Sequence, residues 1–283
     1  MPSNEQRRQA AKRKLERQLA RRAERARRRR IVAISVTVVA VLAVVGGIYF
    51  FATQGDEGSN QSAEADSQDG PSSGSCEYTR TPDEPAKDVG LPRDSGQPAK
   101  SGTVKATLDT SQGQIPITMD RAKAPCTVQS MRHLIERKYF DNTPCHRATS
   151  SETLSVLQCG DPTGEGSGGP GYAVPDELPK DLKPAAQSSP RQPVSIYPRG
   201  SIAMANSGQK DSGGSQFFLV HKDSMLPPNY TVFGTIDKQG LATLDKIAAA
   251  GITPGQDPRT GQPTPGDGAP KQPVNITKAL LRT

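Results

Sequence analysis

The chain has 283 residues, a formal net charge of +7, 33% hydrophobic residues, 27 Gly and 25 Pro, with six Phe, six Tyr and no Trp. Apolar residues are spread so unevenly that only part of the chain can bury a core. The basic residues crowd into the first thirty positions, so the excess charge belongs to a tail and is poor evidence for nucleic-acid binding, and the few aromatics argue against a base-stacking platform.

In chain order, residues 1–30 form a basic segment of Arg, Lys, Gln, Glu and Ala with no apolar stripe wide enough to fold alone. Its reading as a topology and membrane-surface determinant is preferred to one as a ligand for anionic lipid or nucleic acid. Ile31 to Phe51 is an uncharged apolar run, long enough to cross a hydrocarbon core of about 30 Å, and predicts a transmembrane helix. Arg27 to Arg30 abut its start while Asp56, Glu57, Glu64 and Asp66 follow its end, which places the N-terminus in the cytoplasm and the rest outside, as a single-pass membrane protein. A cleaved signal peptide is the competing reading, disfavoured by the length of the basic region and the lack of a clear A-x-A site. Residues 52–101, rich in Gly, Ser, Asp, Gln and Pro, predict a disordered linker that holds the following domain off the membrane.

Residues 102–283 read as one folded domain. Short alternating or apolar runs predict strands at Thr103–Asp109, Gln114–Met119, Cys145–Thr149, Ser155–Gln158, Ser201–Ala205, Gln216–Val220, Thr231–Ile236 and Val274–Leu281. Helical spacing predicts helices over Pro125–Arg137 and Leu241–Ala250, with Pro125 in a first turn and Gly251 as a stop. Eight strands and two helices suggest a mainly β fold, a closed eight-stranded antiparallel barrel capped by the two helices, since closure removes exposed edges. Pro254 to Pro273 reads as a Pro- and Gly-rich loop.

Four separated blocks carry a resemblance. They are Ala124-Pro125-Cys126-Thr127-Val128; Tyr139-Phe140-Asp141-Asn142-Thr143 with Cys145-His146-Arg147; Gln158-Cys159-Gly160-Asp161-Pro162-Thr163-Gly164; and Met204-Ala205-Asn206-Ser207-Gly208, continuing through Gly214-Ser215-Gln216-Phe217-Phe218 to Asn229-Tyr230-Thr231-Val232-Phe233-Gly234. In order and spacing they resemble the cyclophilin signature, the family of peptidyl-prolyl cis-trans isomerases, over roughly Thr103 to Thr283. The resemblance implies an isomerase, or rotamase, that needs no cofactor and acts on proline-containing polypeptides from the outer face of its barrel. It implies Arg147 as the catalytic residue, Gln158 beside it, Phe218 and Leu226 walling a proline pocket with Val156 and Tyr230, and Ala205, Asn206 and Gln216 on the peptide backbone. A monomeric catalytic domain serving exported or cell-envelope proteins is the corresponding expectation.

The chemistry supports that assignment independently of the name. Peptide-bond rotation meets a barrier of about 18–20 kcal/mol because resonance is lost, while the two X-Pro isomers are close in energy, so a catalyst need only favour the twisted state. A rigid, permanently charged guanidinium aimed at the prolyl nitrogen would stabilise the lone pair that appears there. No nucleophile, metal or proton transfer is needed, in keeping with a chain of three His and no paired acid–base constellation.

The chain departs from the family pattern where an aromatic residue usually floors the proline pocket: Ser155, or Leu154 with a shifted register, stands there, and Met225 replaces the Trp of many members. These departures motivate the alternative of a catalytically weak proline-peptide-binding or chaperone module. His146 alternates away from Arg147 and reads as a structural hydrogen-bonding residue. Phe217 and Phe218 must face opposite sides of their strand. Gly164-x-Gly166-x-x-Gly169 matches a dinucleotide fingerprint by letter but has no following helix. Cys76, Cys126, Cys145 and Cys159 contain no C-x-x-C pair; an even count outside the membrane suggests two disulfides, with three connectivities open.

Overall fold

The computed structural model describes residues 76–93, 96–257 and 259–282. The tail, the apolar run 31–51 and the linker up to residue 75 lie outside the described residues. Among the described residues, no helix is long and apolar enough to cross a membrane.

The described part begins with β1 (Thr79–Arg80) and the long hairpin of β2 (Thr103–Thr110) and β3 (Gly113–Asp120), followed by helix α1 (Pro125–Glu136). Next come β4 (Thr143–Pro144), β5 (Arg147–Thr149), β6 (Val156–Cys159), β7 (Tyr172–Ala173), β8 (Lys183–Pro184), β9 (Ser195–Tyr197) and β10 (Ser201–Met204). Then follow β11 (Phe217–Val220), β12 (Ser224–Leu226), β13 (Val232–Ile236), helix α2 (Lys238–Ala249), β14 (Ile252–Gln256), β15 (Pro263–Pro270) and β16 (Asn275–Arg282). All paired strands are antiparallel, and eleven of them form one sheet in the order β14-β15-β5-β6-β11-β10-β13-β3-β2-β16-β4.

This sheet corrects the expected closed eight-stranded barrel. Among the described residues no ladder joins its two edges, so it is a curled half-barrel. The physical reason lies at β4, which is two residues long and contains Pro144, a residue with no N–H to donate. Cys145 then spends its N–H on the Val274 carbonyl at 2.8 Å, and the chain leaves for β5. The Pro- and Gly-rich stretch expected to be a loop instead supplies β14 and β15, which extend the sheet beyond β5.

One row of residues explains the inner face. Ala148, Leu157, Leu219, Ile202, Gly234, Met119 and Val104 are successive cross-strand partners from β5 to β2, and all but Gly234 belong to the main core. Side chains alternate between faces along a strand, so the register that buries this row turns its neighbours outward. Helix α1 packs on β16 and β3, and α2 on β3. Pro125 opens α1, whose first free N–H groups are capped by a distant side chain: Cys126 and Thr127 donate to Glu177 at 2.9 and 2.8 Å. Asp237 caps α2 by accepting from the Gly240 N–H, and Gly251, at φ +88°, follows its end.

Residues 76–93, expected within the linker, pack onto the domain. Cys76 is disulfide-bonded to Cys126, β1 pairs with β7, and the Tyr78 hydroxyl donates to the Cys126 carbonyl at 2.8 Å. Lys87 Nζ donates to the carbonyls of Tyr139 and Asp141 at 2.7 and 2.6 Å. The segment has few apolar residues of its own; the disulfide and borrowed backbone partners offset its ordering entropy. The second disulfide joins Cys145 to Cys159, which leaves none of the four cysteines free.

Candidate active site

The outward row beside the core row carries three of the expected site residues, Arg147, Gln158 and Phe218. Arg147 pairs with Gln158, Gln158 with Phe218, Phe218 with Ala203 and Ala203 with Val232, a line across five adjacent strands. Its two halves differ in chemistry. Phe218 and Ala203 join Val156, Tyr197, Val220 and Val232 in a second apolar cluster, separate from the main core, with Leu154, Leu182, Ala205, Leu226 and Tyr230 packed around it. Phe217 points the other way, into the main core. The rings of Tyr197, Phe218 and Tyr230 meet pairwise with centroids 5.5–6.3 Å apart. Tyr197 is fully buried, and its single hydroxyl proton is shared between the carbonyls of Pro227 and Tyr230 at 3.1 and 3.3 Å, which ties the 227–230 loop to the cluster. Burial pushes the Tyr197 hydroxyl pKa up to about 12, so it remains a donor at neutral pH.

At the other end of the row the side chains form a polar relay. Arg147 Nη1 donates to Gln158 Oε1 at 3.3 Å, Gln158 Nε2 to Gln216 Oε1 at 2.9 Å, and Gln216 Nε2 to the carbonyls of Gly166 and Gly168 at 2.9 and 3.1 Å. Arg147 Nε and Nη2 donate to Oδ1 and Oδ2 of Asp267 at 2.8 and 2.7 Å. The Asp267 carboxylate raises the pKa of the guanidinium above its already high ordinary value, more than burial lowers it. The Ala205 N–H donates to the Gln216 carbonyl at 2.9 Å, and Asn206 Nδ2 to the Asn229 carbonyl at 2.8 Å. Gly160, at φ +99°, permits this approach, since a Cβ there would overlap the Ser215 carbonyl.

A groove of about 510 Å³ adjoins the row and shares Gln158, Ala205, Asn206 and Gln216 with it; Arg147 and Phe218 lie outside its lining. Asp83 and Glu84 of the N-terminal segment also line it. The 161–169 loop, whose residues 166–169 line the groove, is organised by Asp161, a fully buried carboxylate that accepts from the N–H groups of Thr163, Gly166 and Gly168 and from the Thr163 hydroxyl at 2.7–3.0 Å. Burial pushes its pKa up, but those bonds outweigh it and hold the group below the ordinary carboxylate range. The glycine-rich stretch is therefore a loop folded around Asp161.

Two expectations change here. Ser155 is buried, with its hydroxyl on the Ser151 carbonyl at 3.0 Å and its N–H on Ser224 Oγ at 3.0 Å, so Leu154 is the residue that packs against the apolar cluster. Met225 pairs with Ile196, and its sulfur accepts from Gln187 Nε2 at 2.9 Å. His146 was expected to hydrogen-bond, but its buried Nδ1 has no partner among the described residues, and burial lowers its pKa. Sequence reading missed Asp267, Tyr197 and Asp161. The alternation Ser195-Ile196-Tyr197 was a signal for a strand; nothing local marks Asp267, which sits 120 residues from Arg147.

The outward row thus runs from a guanidinium at one end to an apolar cluster at the other. The sequence comparisons identify the class: the family described as "Cyclophilin type peptidyl-prolyl cis-trans isomerase/CLD" matches residues 103–280. The chain belongs to this family and is a peptidyl-prolyl cis-trans isomerase. It is 44% identical over 305 aligned positions to the probable peptidyl-prolyl cis-trans isomerase B of Mycobacterium leprae, covering 99% of this chain and 100% of that protein. It is 46% identical over 206 positions to the protein of the same name in Mycobacterium tuberculosis, covering 73% of this chain and 63% of that one. A peptidyl-prolyl cis-trans isomerase of Helicobacter pylori is 35% identical over 152 positions, covering 53% and 83% respectively.

Proposed function

We propose that Arg147 is the catalytic residue of this isomerase, donating to the prolyl nitrogen as its lone pair localises in the twisted amide. The observation that carries this reading is the placement of Arg147 and Phe218 on either side of Gln158 in one cross-strand row. Phe218, Val156, Leu226 and Tyr230 form the wall that holds the pyrrolidine ring, while Ala205, Asn206, Gln158 and Gln216 hold the flanking backbone. Binding energy from that wall and backbone is then spent on the twisted geometry. The test is the cis-to-trans rate of a short X-Pro peptide with the full chain, wild type beside Arg147→Ala. A fall of about 10²-fold or more in kcat/KM with an unchanged melting temperature is expected; a variant as fast as wild type would remove Arg147 from the chemistry.

In the same reading, residues 31–51 anchor the chain in the cell membrane, the basic tail stays in the cytoplasm, and residues 52–75 tether the domain on the outer side. There it acts as a monomer on proline-containing segments of exported proteins, with no nucleic-acid partner. Support comes from the charge difference across residues 31–51 and from two disulfides in a domain without free thiols, a pattern of oxidising compartments. Protease added to intact cells should remove the domain; full protection until the cells are lysed would place it inside.

A further inference from the structure

A guanidinium can favour a developing lone pair only if its planar fork is held at a fixed angle, because an unrestrained arginine samples many rotamers. Arg147 is half-exposed, its side chain 39% accessible, so core packing alone does not fix it. Asp267 supplies the missing restraint. Its two oxygens take Nε and Nη2 in a bidentate pair, and both side-chain hydrogen bonds recorded for that carboxylate go to Arg147. The pair occupies one edge of the fork, while Nη1 remains on the Gln158 side, next to the row that leads to Phe218.

The backbone of the hairpin is shaped to deliver this carboxylate. Asp267 lies opposite Thr149 in the β5–β15 pairing, two positions from Arg147 and therefore on the same face of the sheet. Glycines flank it. Gly266, at φ +75°, accepts from the Ser150 N–H, and a Cβ there would come within 2.9 Å of the Ser150 carbonyl. A Cβ at Gly268 would overlap the Thr253 carbonyl of β14. Gly266 thus lets β15 approach the end of β5, and Gly268 lets β14 close on β15, with the aspartate between them.

We propose that Asp267 is a positioning residue for the isomerisation: it fixes the plane of the Arg147 fork and leaves the Nη1 edge for the substrate. The inference rests on the reading of Arg147 as the catalytic group. The test compares full-length wild type, Asp267→Asn, Asp267→Ala, Arg147→Ala, Arg147→Lys and the double variant Arg147→Lys/Asp267→Asn on a proline peptide, with kcat and KM measured separately and melting temperature alongside. Asp267→Asn and Asp267→Ala should each lower kcat about tenfold with KM within about twofold. A lysine cannot form the bidentate pair, so adding Asp267→Asn to Arg147→Lys should change kcat by less than about twofold. Asp267→Asn at or above the wild-type rate, or the same loss in both backgrounds, would overturn the inference. Activity retained by Arg147→Ala would instead sink the reading of Arg147; an inactive Arg147→Ala beside an unaffected Asp267→Asn would sink only the role of Asp267.

Discussion

The two faces of the central sheet are built from the same strands yet obey different rules. On the inner face, the row from Ala148 to Val104 is apolar apart from Gly234, and it excludes water completely enough that Leu157, Leu219, Ile202 and Met119 are nearly or fully buried. On the outer face, the row one residue along begins with a half-exposed arginine in an ion pair, passes through Gln158, which is hydrogen-bonded to Gln216, and ends in a small apolar cluster. Alternation alone separates them. The inner row is packed for stability, whereas the outer row keeps polar groups exposed at one end, as the proposed substrate-binding role requires.

Neighbouring phenylalanines give the sharpest way to break this contrast. Phe217→Ala empties a site in the main core and should cost about 3–5 kcal/mol of unfolding free energy. Phe218→Ala removes a ring from the edge of the smaller cluster; it should cost at least about 1 kcal/mol less while lowering kcat/KM by about tenfold or more through loss of the proline wall. Urea unfolding and peptide isomerisation on both variants read this directly. Equal stability losses with equal activity losses would erase the distinction between the faces.

The next effect concerns how the N-terminal segment is held. Cys76 and Cys126 are 50 residues apart, and chain-entropy reasoning puts a cross-link of that span at about 4 kcal/mol at most, with about 2–4 kcal/mol typical. Cys76→Ser should lower the unfolding free energy by about 2–4 kcal/mol. It should also expose residues 76–93 to proteolysis before the sheet is cut, and raise KM for peptides long enough to reach the groove edged by Asp83 and Glu84. Unchanged protease resistance would mean that β1 and Lys87 hold the segment without the disulfide.

The same contrast explains what could be read from the sequence. Each of the eight anticipated strands overlaps an observed strand, and both helices were legible, because their alternation and helical spacing are local. The outward set of Arg147, Gln158, Gln216 and Phe218 was legible through the family resemblance. The β14–β15 hairpin was not, because Pro254, Pro263, Pro265 and four internal glycines read as loop; its pairing depends on contact with β5 more than a hundred residues away. Asp267 was invisible for the same reason. Closure was misjudged because it depends on whether a two-residue strand ending in proline can complete a ladder, which alternation does not report. Residues 76–93 lack the apolar content that signals a fold, and the cross-link that holds them could not be chosen among three connectivities.

The smallest expected effect is with pH, and it again separates the two faces. His221 follows β11 and uses Nε2 as a donor to the Thr149 carbonyl at 3.1 Å. Burial lowers its pKa, outweighing that carbonyl and Asp245, with Arg199 and Lys222 adding in the same downward direction; His146 is lowered chiefly by burial as well. An unfolded histidine takes up its proton near about pH 6.5, before the folded one does. The stabilisation is therefore complete above that value and declines as pH falls from there towards the lower folded-state values, because the unfolded chain binds more protons across that window. Asp161 acts in a lower window: its folded pKa is depressed, so its contribution is present above about pH 4 and is lost as pH falls through the folded value. Neither histidine is among the residues that form the Arg147 relay, and Arg147 keeps its charge throughout. The urea midpoint should thus fall between pH 7 and pH 5, less steeply in His221→Gln, while kcat/KM of the folded enzyme stays flat. An activity that titrated in step with stability over that range would place a histidine in the chemistry and contradict a mechanism carried by a permanently charged guanidinium.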